Sequence, residues 1–168
     1  METQTAAPVN VLTSEILLKH WQGHRGLTRK VIEAFPEKDL FTFSIGGMRT
    51  FADLAMEIVD LSNPGMIGLV TDKWTAMKDL PHHSGEGMPK TKEELLILWD
   101  ETTQQMNRLW EQLTPERFTE AVLAFGMYPG TVVSTIFYFI DNEIHHRGQG
   151  YVYLRALGIE PPFFWDRA

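Results

Sequence analysis

The sequence predicts an all-α protein, a bundle of four long helices, and three features carry that reading. Apolar residues recur at helical spacing over four separate stretches. Two of those stretches open with a capping box. Proline clusters between the stretches rather than within them, with the exception of Pro64, described below. The chain of 168 residues is the length of one domain with a single core, taken as residues 1–168 with 1–10 flexible.

The first helix runs from Leu12 to Phe35, where Leu17, Trp21, Thr28 and Phe35 follow one stripe and Pro36 stops the run. Residues 37–48 carry Phe41, Phe43 and Ile45 in alternation but end in Gly46-Gly47, so they read as an extended connection without a sheet. Thr50 and Asp53 form the first capping box and start the second helix. Its stripe of Leu54, Ile58 and Leu61 meets Pro64-Gly65, where a break is expected before the helix resumes towards Trp74.

Residues 79–90 contain two prolines, two glycines and the pair His82-His83, a composition that favours a mobile surface loop with both histidines in solvent. Thr91 and Glu94 form the second capping box, and Leu95, Trp99, Thr102, Met106 and Leu113 mark one face of the third helix. Thr114-Pro115 starts a short extra helix between the third and fourth. The fourth helix, 131–157, is the longest, about 40 Å at 1.5 Å per residue. Gly158 and Pro161-Pro162 close it. No strand is expected anywhere.

Composition narrows the function. A net charge of -7, from 15 basic and 22 acidic residues, leaves no electrostatic footprint for direct contact with nucleic acid. With no cysteine, a metal must sit on His, Asp, Glu, Asn or water, and thiolate chemistry from the protein is excluded. No Gly-rich loop follows a strand, so no nucleotide cofactor is expected. The start of the chain lacks a basic-then-apolar leader and no 18 apolar residues occur in succession, so a cytoplasmic protein without a membrane span is the default.

One stripe on the fourth helix is polar where the bundle should be apolar. Residues three, four and seven apart share a face, which places His146 with Phe139, Asn142, Glu143, Gln149, Gly150 and Tyr153. Burying polar groups is costly unless each finds a partner, and a metal, a polar ligand or a hydrogen-bond network would each supply one. Asn142 and His146, four apart, can reach one ion, or can be a hydrogen-bonded core pair. Glu143 and Arg147 read as an i,i+4 ion pair. On the second helix Glu57 stands beside Ile58, between Leu54 and Leu61, and is the third contributor to a metal or to a bond with His146. His24 on the first helix is placed for a supporting contact or a substrate.

The run Ile140-Asp141-Asn142-Glu143-Ile144-His145-His146-Arg147-Gly148-Gln149 resembles the closing motif of the DinB/YfiT-like superfamily of metalloenzymes. The likeness extends to Tyr153-Leu154-Arg155, to Leu157-Gly158 before prolines, and to Thr50-Phe51-Ala52-Asp53-Leu54. It implies an up-down-down-up bundle, often dimeric, with a divalent ion between three histidines. Carried over by motif, the ligands fall on Glu57, Asn142 and His146, of which one is a histidine. Imidazole favours Zn or Ni, and carboxylate and amide oxygen favour harder ions such as Mn or Fe.

The resemblance implies a metal-dependent transferase or hydrolase acting on a small, thiol-containing molecule. Its catalytic residues are His146 and Glu57, with Gln149, Tyr153 and His24 binding substrate. The alternative is a non-catalytic small-molecule-binding or stress-response bundle that has lost the metal. A homodimer is expected from the resemblance and from an aromatic surplus.

Overall fold

The computed structural model describes residues 12–167, and the segment 1–10 expected to be flexible lies outside them. Six helices and one hairpin follow in order: α1 (Ser14–Ala34), α2 (Glu37–Thr42), α3 (Phe51–Thr71), α4 (Pro81–Ser84), α5 (Lys92–Trp110), β1 (Ala121–Ala124), β2 (Tyr128–Thr131) and α6 (Val132–Ala156). The four long ones, α1, α3, α5 and α6, make the bundle. Both anticipated capping boxes are formed, at Thr50/Asp53 and at Thr91/Glu94. A third, Thr131/Ser134, starts α6.

Two apolar clusters sit at the two ends of the bundle and show its direction. One gathers Leu17 and Trp21 of α1, Leu69 of α3, Met106 of α5 and Ile136 of α6. The other gathers Ile32 and Phe35 of α1, Phe51 and Ala52 of α3, Leu95 of α5 and Leu154 of α6. The first cluster thus takes the start of α1 and α6 but the end of α3 and α5, which is an up-down-down-up arrangement. Consecutive α3 and α5 run parallel, so residues 72–91 must travel back along the bundle to join them. The buried polar groups Arg25, Thr28, Glu143, His146 and Arg147 lie between the clusters, at the waist.

Four local expectations are corrected. Residues 37–42 are helical rather than extended: Leu40 is buried, and Glu37 and Asp39 sit in a first turn whose free N–H groups favour acidic side chains. The break expected at Pro64-Gly65 is absent and α3 runs through to Thr71, ending on Asp72 in the left-handed region. The short extra helix expected after Thr114-Pro115 is present as a 3-10 helix, Arg117–Thr119, but the expectation of no strand fails: an antiparallel hairpin follows it, pairing Ala121 with Thr131 and Ala124 with Tyr128. Its turn uses Phe125 and Gly126, both at positive φ. Finally, residues 79–90 are not wholly a surface loop, because a short 3-10 turn (Met77–Asp79) and α4 seat His82 against α3. No helix among the described residues is long and apolar enough to cross a membrane.

Candidate functional site

Two glycine contacts bring α3 and α6 together. A Cβ on Gly150 would lie 2.4 Å from the Phe51 ring, and one on Gly65 would lie 2.7 Å from Phe139. Both positions therefore need glycine for this approach. Between these contacts Glu57 of α3 faces the turn of α6 that carries Asn142 and His146.

Glu57 Oε1 stands 3.0 Å from His146 Nε2 and accepts from Asn142 Nδ2 at 2.9 Å. Its other oxygen is bound by the Arg49 guanidinium, from the residue before the Thr50 cap. Gln149, one turn beyond His146, places Oε1 2.8 Å from His146 Nδ1, while its Nε2 donates to Met48 Sδ at 3.4 Å. Tyr153 donates to the Arg49 carbonyl at 2.9 Å and so holds the strap that delivers Arg49.

Proton accounting shows what this cluster requires. An amide oxygen only accepts, so the Gln149 contact puts a hydrogen on His146 Nδ1 and, in the neutral ring, leaves a lone pair on Nε2. That lone pair faces Glu57. Burial pushes the Glu57 carboxyl up, but hydrogen bonds from His146, when Nε2 carries the hydrogen, and from Arg49 and Asn142 together outweigh it and hold it well below the usual carboxylate range. The 3.0 Å contact between Glu57 Oε1 and His146 Nε2 is made either by an N–H on Nε2, which the other ring tautomer supplies when the Gln149 amide turns over, or through a metal ion. Asn142 Oδ1, buried and without a partner, is the one polar atom here left unused.

The donor set suits a divalent ion that accepts one imidazole nitrogen, one carboxylate oxygen and one amide oxygen, with remaining positions for water or ligand. The amide oxygen is available if the Asn142 side chain turns over. Among the described residues no cluster of three or more His, Cys, Asp or Glu could hold a metal, so Asn142 is needed to complete the set.

A cleft of about 410 Å³ opens beside the cluster, with Glu57 at its edge. Leu61 of α3, Tyr138 and Phe139 of α6, and Phe125, Tyr128 and Pro129 of the hairpin form most of its apolar wall. His82 and His83 also line it. The expectation that both histidines lie in solvent is corrected for His82, whose side chain is only 2% exposed. Its Nδ1 lies 2.6 Å from Asp60 Oδ2, which also accepts the His82 backbone N–H at 2.9 Å.

The opposite flank of α6 holds a separate buried network. Glu143 is completely buried and accepts from Trp21 Nε1 at 3.1 Å and from Thr28 Oγ1 at 2.7 Å. Arg25 approaches it to 3.9 Å and Arg147 to 4.0 Å. Arg25 also stacks 3.5 Å over Trp99. Burial lowers its pKa to about 10, with Glu143 and Asp100 opposing, so it stays charged. The Glu143–Arg147 pair is thus part of a core network rather than a simple surface i,i+4 bridge.

His24 lies on this flank, not at the cleft. It takes Arg147 Nη2 at 2.9 Å on Nδ1 and meets His20 at 3.2 Å. Burial first, then the charges of Arg147 and Arg167 and the neighbouring His20, lowers its pKa to about 3.

Of the residues singled out from sequence, Glu57, Asn142, His146 and Gln149 meet in one cluster. Tyr153 supports that cluster through Arg49, and His24 is apart from it. Arg49 and Asp60 were not singled out, and His82 was expected in solvent. Asp60 carried a sequence signal, since it lies three residues after Glu57 and so on the same side of the helix.

A family model described as the DinB family matches residues 1–166. A solved DinB-like protein from Bacillus cereus superposes with a TM-score of 0.70 at 19% identity, covering 89% of this chain and 95% of that one. A DinB-like protein from Bacillus subtilis superposes with a TM-score of 0.67 at 21% identity, covering 88% and 96%. At these identities the two structures speak for the fold. No curated protein matches the chain.

Proposed function

Since the chain belongs to the DinB family, we propose that it is a metal-dependent transferase or hydrolase that takes a small molecule into the cleft beside Glu57. The observation that carries this reading is the convergence of Glu57 Oε1, His146 Nε2 and the Asn142 amide at the edge of the cleft. Glu57, His146 and Asn142 would hold the ion. When bound, it would act as a Lewis acid that makes a thiol or water a better nucleophile.

The chain's own residues prepare that chemistry. Gln149 fixes the His146 ring with its Nε2 towards Glu57, the kind of supporting contact that orients a ligand histidine. Arg49 spreads part of the Glu57 charge and keeps the carboxylate ionised. The apolar cleft wall binds the body of the substrate and excludes water from the polar end. The substrate class carried over from the family resemblance is a small thiol.

Metal content of tag-free protein purified without chelator tests the reading. One equivalent of Zn, Ni, Mn or Fe is expected in the wild type and none after His146→Ala. A wild-type protein that refuses all four at micromolar concentration overturns it.

One observation favours a second reading, a metal-free small-molecule binder. Arg49 already compensates Glu57, and an N–H on His146 Nε2 donating to Glu57 completes the contact without an ion. In that case His146→Ala leaves ligand affinity and metal content unaltered together.

We also assign the chain a homodimeric state in the cytoplasm. Phe163, Phe164 and Trp165 near the C-terminus are 57%, 61% and 66% exposed, an aromatic patch that a second copy would cover. Light scattering of the full chain gives twice the monomer mass if this holds and the monomer mass if it does not.

A further inference from the structure

The topology brings a second imidazole to the cleft. Because α3 and α5 run parallel, the chain between them returns along α3 and lays α4 across its middle, where His82 meets Asp60. Asp60 Oδ2 accepts twice, from the His82 backbone N–H and from ring Nδ1. The ring hydrogen is therefore on Nδ1, and the neutral ring keeps its lone pair on Nε2. Among the described residues no protein group bonds that nitrogen, although the ring is 2% exposed and lines the cleft. A carboxylate holding Nδ1–H, with Nε2 left unpaired in a side chain that lines a pocket, is the arrangement of a general base with its orienting acid.

We propose that His82, oriented by Asp60, is a catalytic base that takes the proton of a hydroxyl or thiol on a small apolar molecule bound in this cleft. The proton moves from the ligand's O–H or S–H to Nε2. The ligand is left as the oxyanion or thiolate, and the imidazolium is balanced by Asp60. His82 would touch the ligand, whereas Asp60 is a positioning residue that acts through the ring. The ligand class follows from the wall: Leu61, Phe125, Pro129 and Phe139 supply an apolar surface, and no lysine or arginine lines the cleft to attract a permanent anion. The other titratable groups lining the cleft are Glu57 of α3, His83 beside His82, Tyr128 of β2 and Tyr138 of α6.

This inference rests on the reading of the cleft as the ligand site but not on the metal. A chromogenic phenol separates the two. 4-Nitrophenol absorbs visible light only as its anion, so binding to the full-length protein at a pH below its own ionisation reports the proton transfer directly. With the wild type, the bound probe shows the phenolate band, its apparent pKa lowered by about one unit or more, which is about tenfold more anion at a fixed pH.

His82→Asn keeps an amide donor where Nδ1 stood, so the anchor to Asp60 and the thermal midpoint are retained while the base is lost. The probe should still bind, with the phenolate signal gone. Asp60→Asn should weaken the signal at a nearly unchanged dissociation constant, an effect that a purely structural anchor would not produce. A phenolate band that persists in His82→Asn but disappears in Glu57→Gln overturns the proposal in favour of Glu57 as the base. No saturable binding, or binding untouched by Leu61→Trp, which fills the cleft, overturns the cleft reading and this proposal with it. Metal content measured on the same samples reports separately on the ion at Glu57 and His146.

Discussion

Glu57 and Glu143 are two carboxylates at the waist of one bundle, on opposite flanks of α6, and they have opposite surroundings. Glu143 is fully buried and meets an indole, a hydroxyl and two guanidinium groups, so its partners saturate it. Glu57 is 18% exposed, meets one guanidinium and one amide, and shares its remaining oxygen lone pairs with an imidazole nitrogen at the rim of a cleft. A carboxylate with every acceptor position filled by fixed donors holds the fold together. One whose oxygen meets an imidazole nitrogen at the rim of an opening is available for chemistry.

The largest effect that should separate the flanks is on stability. Glu143→Gln leaves Arg25 and Arg147 buried with no anion and is expected to cost about 3–5 kcal/mol in urea unfolding. Glu57→Gln removes partners that remain partly solvated and is expected to cost about 1 kcal/mol. Equal costs would break the comparison. Loss of metal in Glu57→Gln but not in a folded Glu143 variant would sharpen it.

Acid sensitivity distinguishes the flanks next. His24, with a folded pKa of about 3, takes its proton near pH 6.5 when unfolded, so the unfolded chain binds more protons between these values. Stability on the Glu143 flank is fully present above pH 6.5 and declines as the pH falls towards 3; His24→Gln removes that slope. Glu57, whose pKa is depressed, contributes stability present above the ordinary carboxylate value of 4.5 and lost as the pH falls below it. Unfolding midpoints of His24→Gln and Glu57→Gln measured from pH 7 to pH 3 should therefore diverge first above pH 4.5. A wild-type midpoint flat between pH 6.5 and 4.5 would contradict the neutral, buried His24.

The smallest expected effect is that of Tyr153→Phe, which removes the hydroxyl bond to the Arg49 carbonyl and should cost about 1 kcal/mol. Metal affinity should weaken slightly as the Arg49 strap loosens. An unchanged thermal midpoint with unchanged metal affinity would show that Arg49 needs no such support.

The sequence made much of this legible because much of it is local. A capping box joins residues three apart, so Thr50/Asp53 and Thr91/Glu94 can be read without the fold. Helical periodicity placed Asn142, His146 and Gln149 on one face of α6 and Glu57 on the inner face of α3, which suffices to name the cluster before its distances are known. Periodicity failed where elements are short. Four-residue strands at Ala121–Ala124 and Tyr128–Thr131 give too few alternations to recognise, and α2 depends on burial of Leu40. His24, expected to give a supporting contact or to bind substrate, lies beside Arg147 on the other flank, because a position on the inner stripe of α1 does not say which of two neighbouring helices it will face.

By itself, then, the chain's amino-acid order determined four amphipathic helices, their starts and the inward-facing polar set on α3 and α6, since each depends on interactions within a few residues. Only the tertiary structure decided that Glu57 is left open while Glu143 is closed, that Arg49 reaches across two turns to the former, and that His82 is held by Asp60 in the cleft wall. Those outcomes depend on which helices are neighbours and on the return path imposed by two parallel ones, contacts between residues too far apart in sequence for any local pattern to encode.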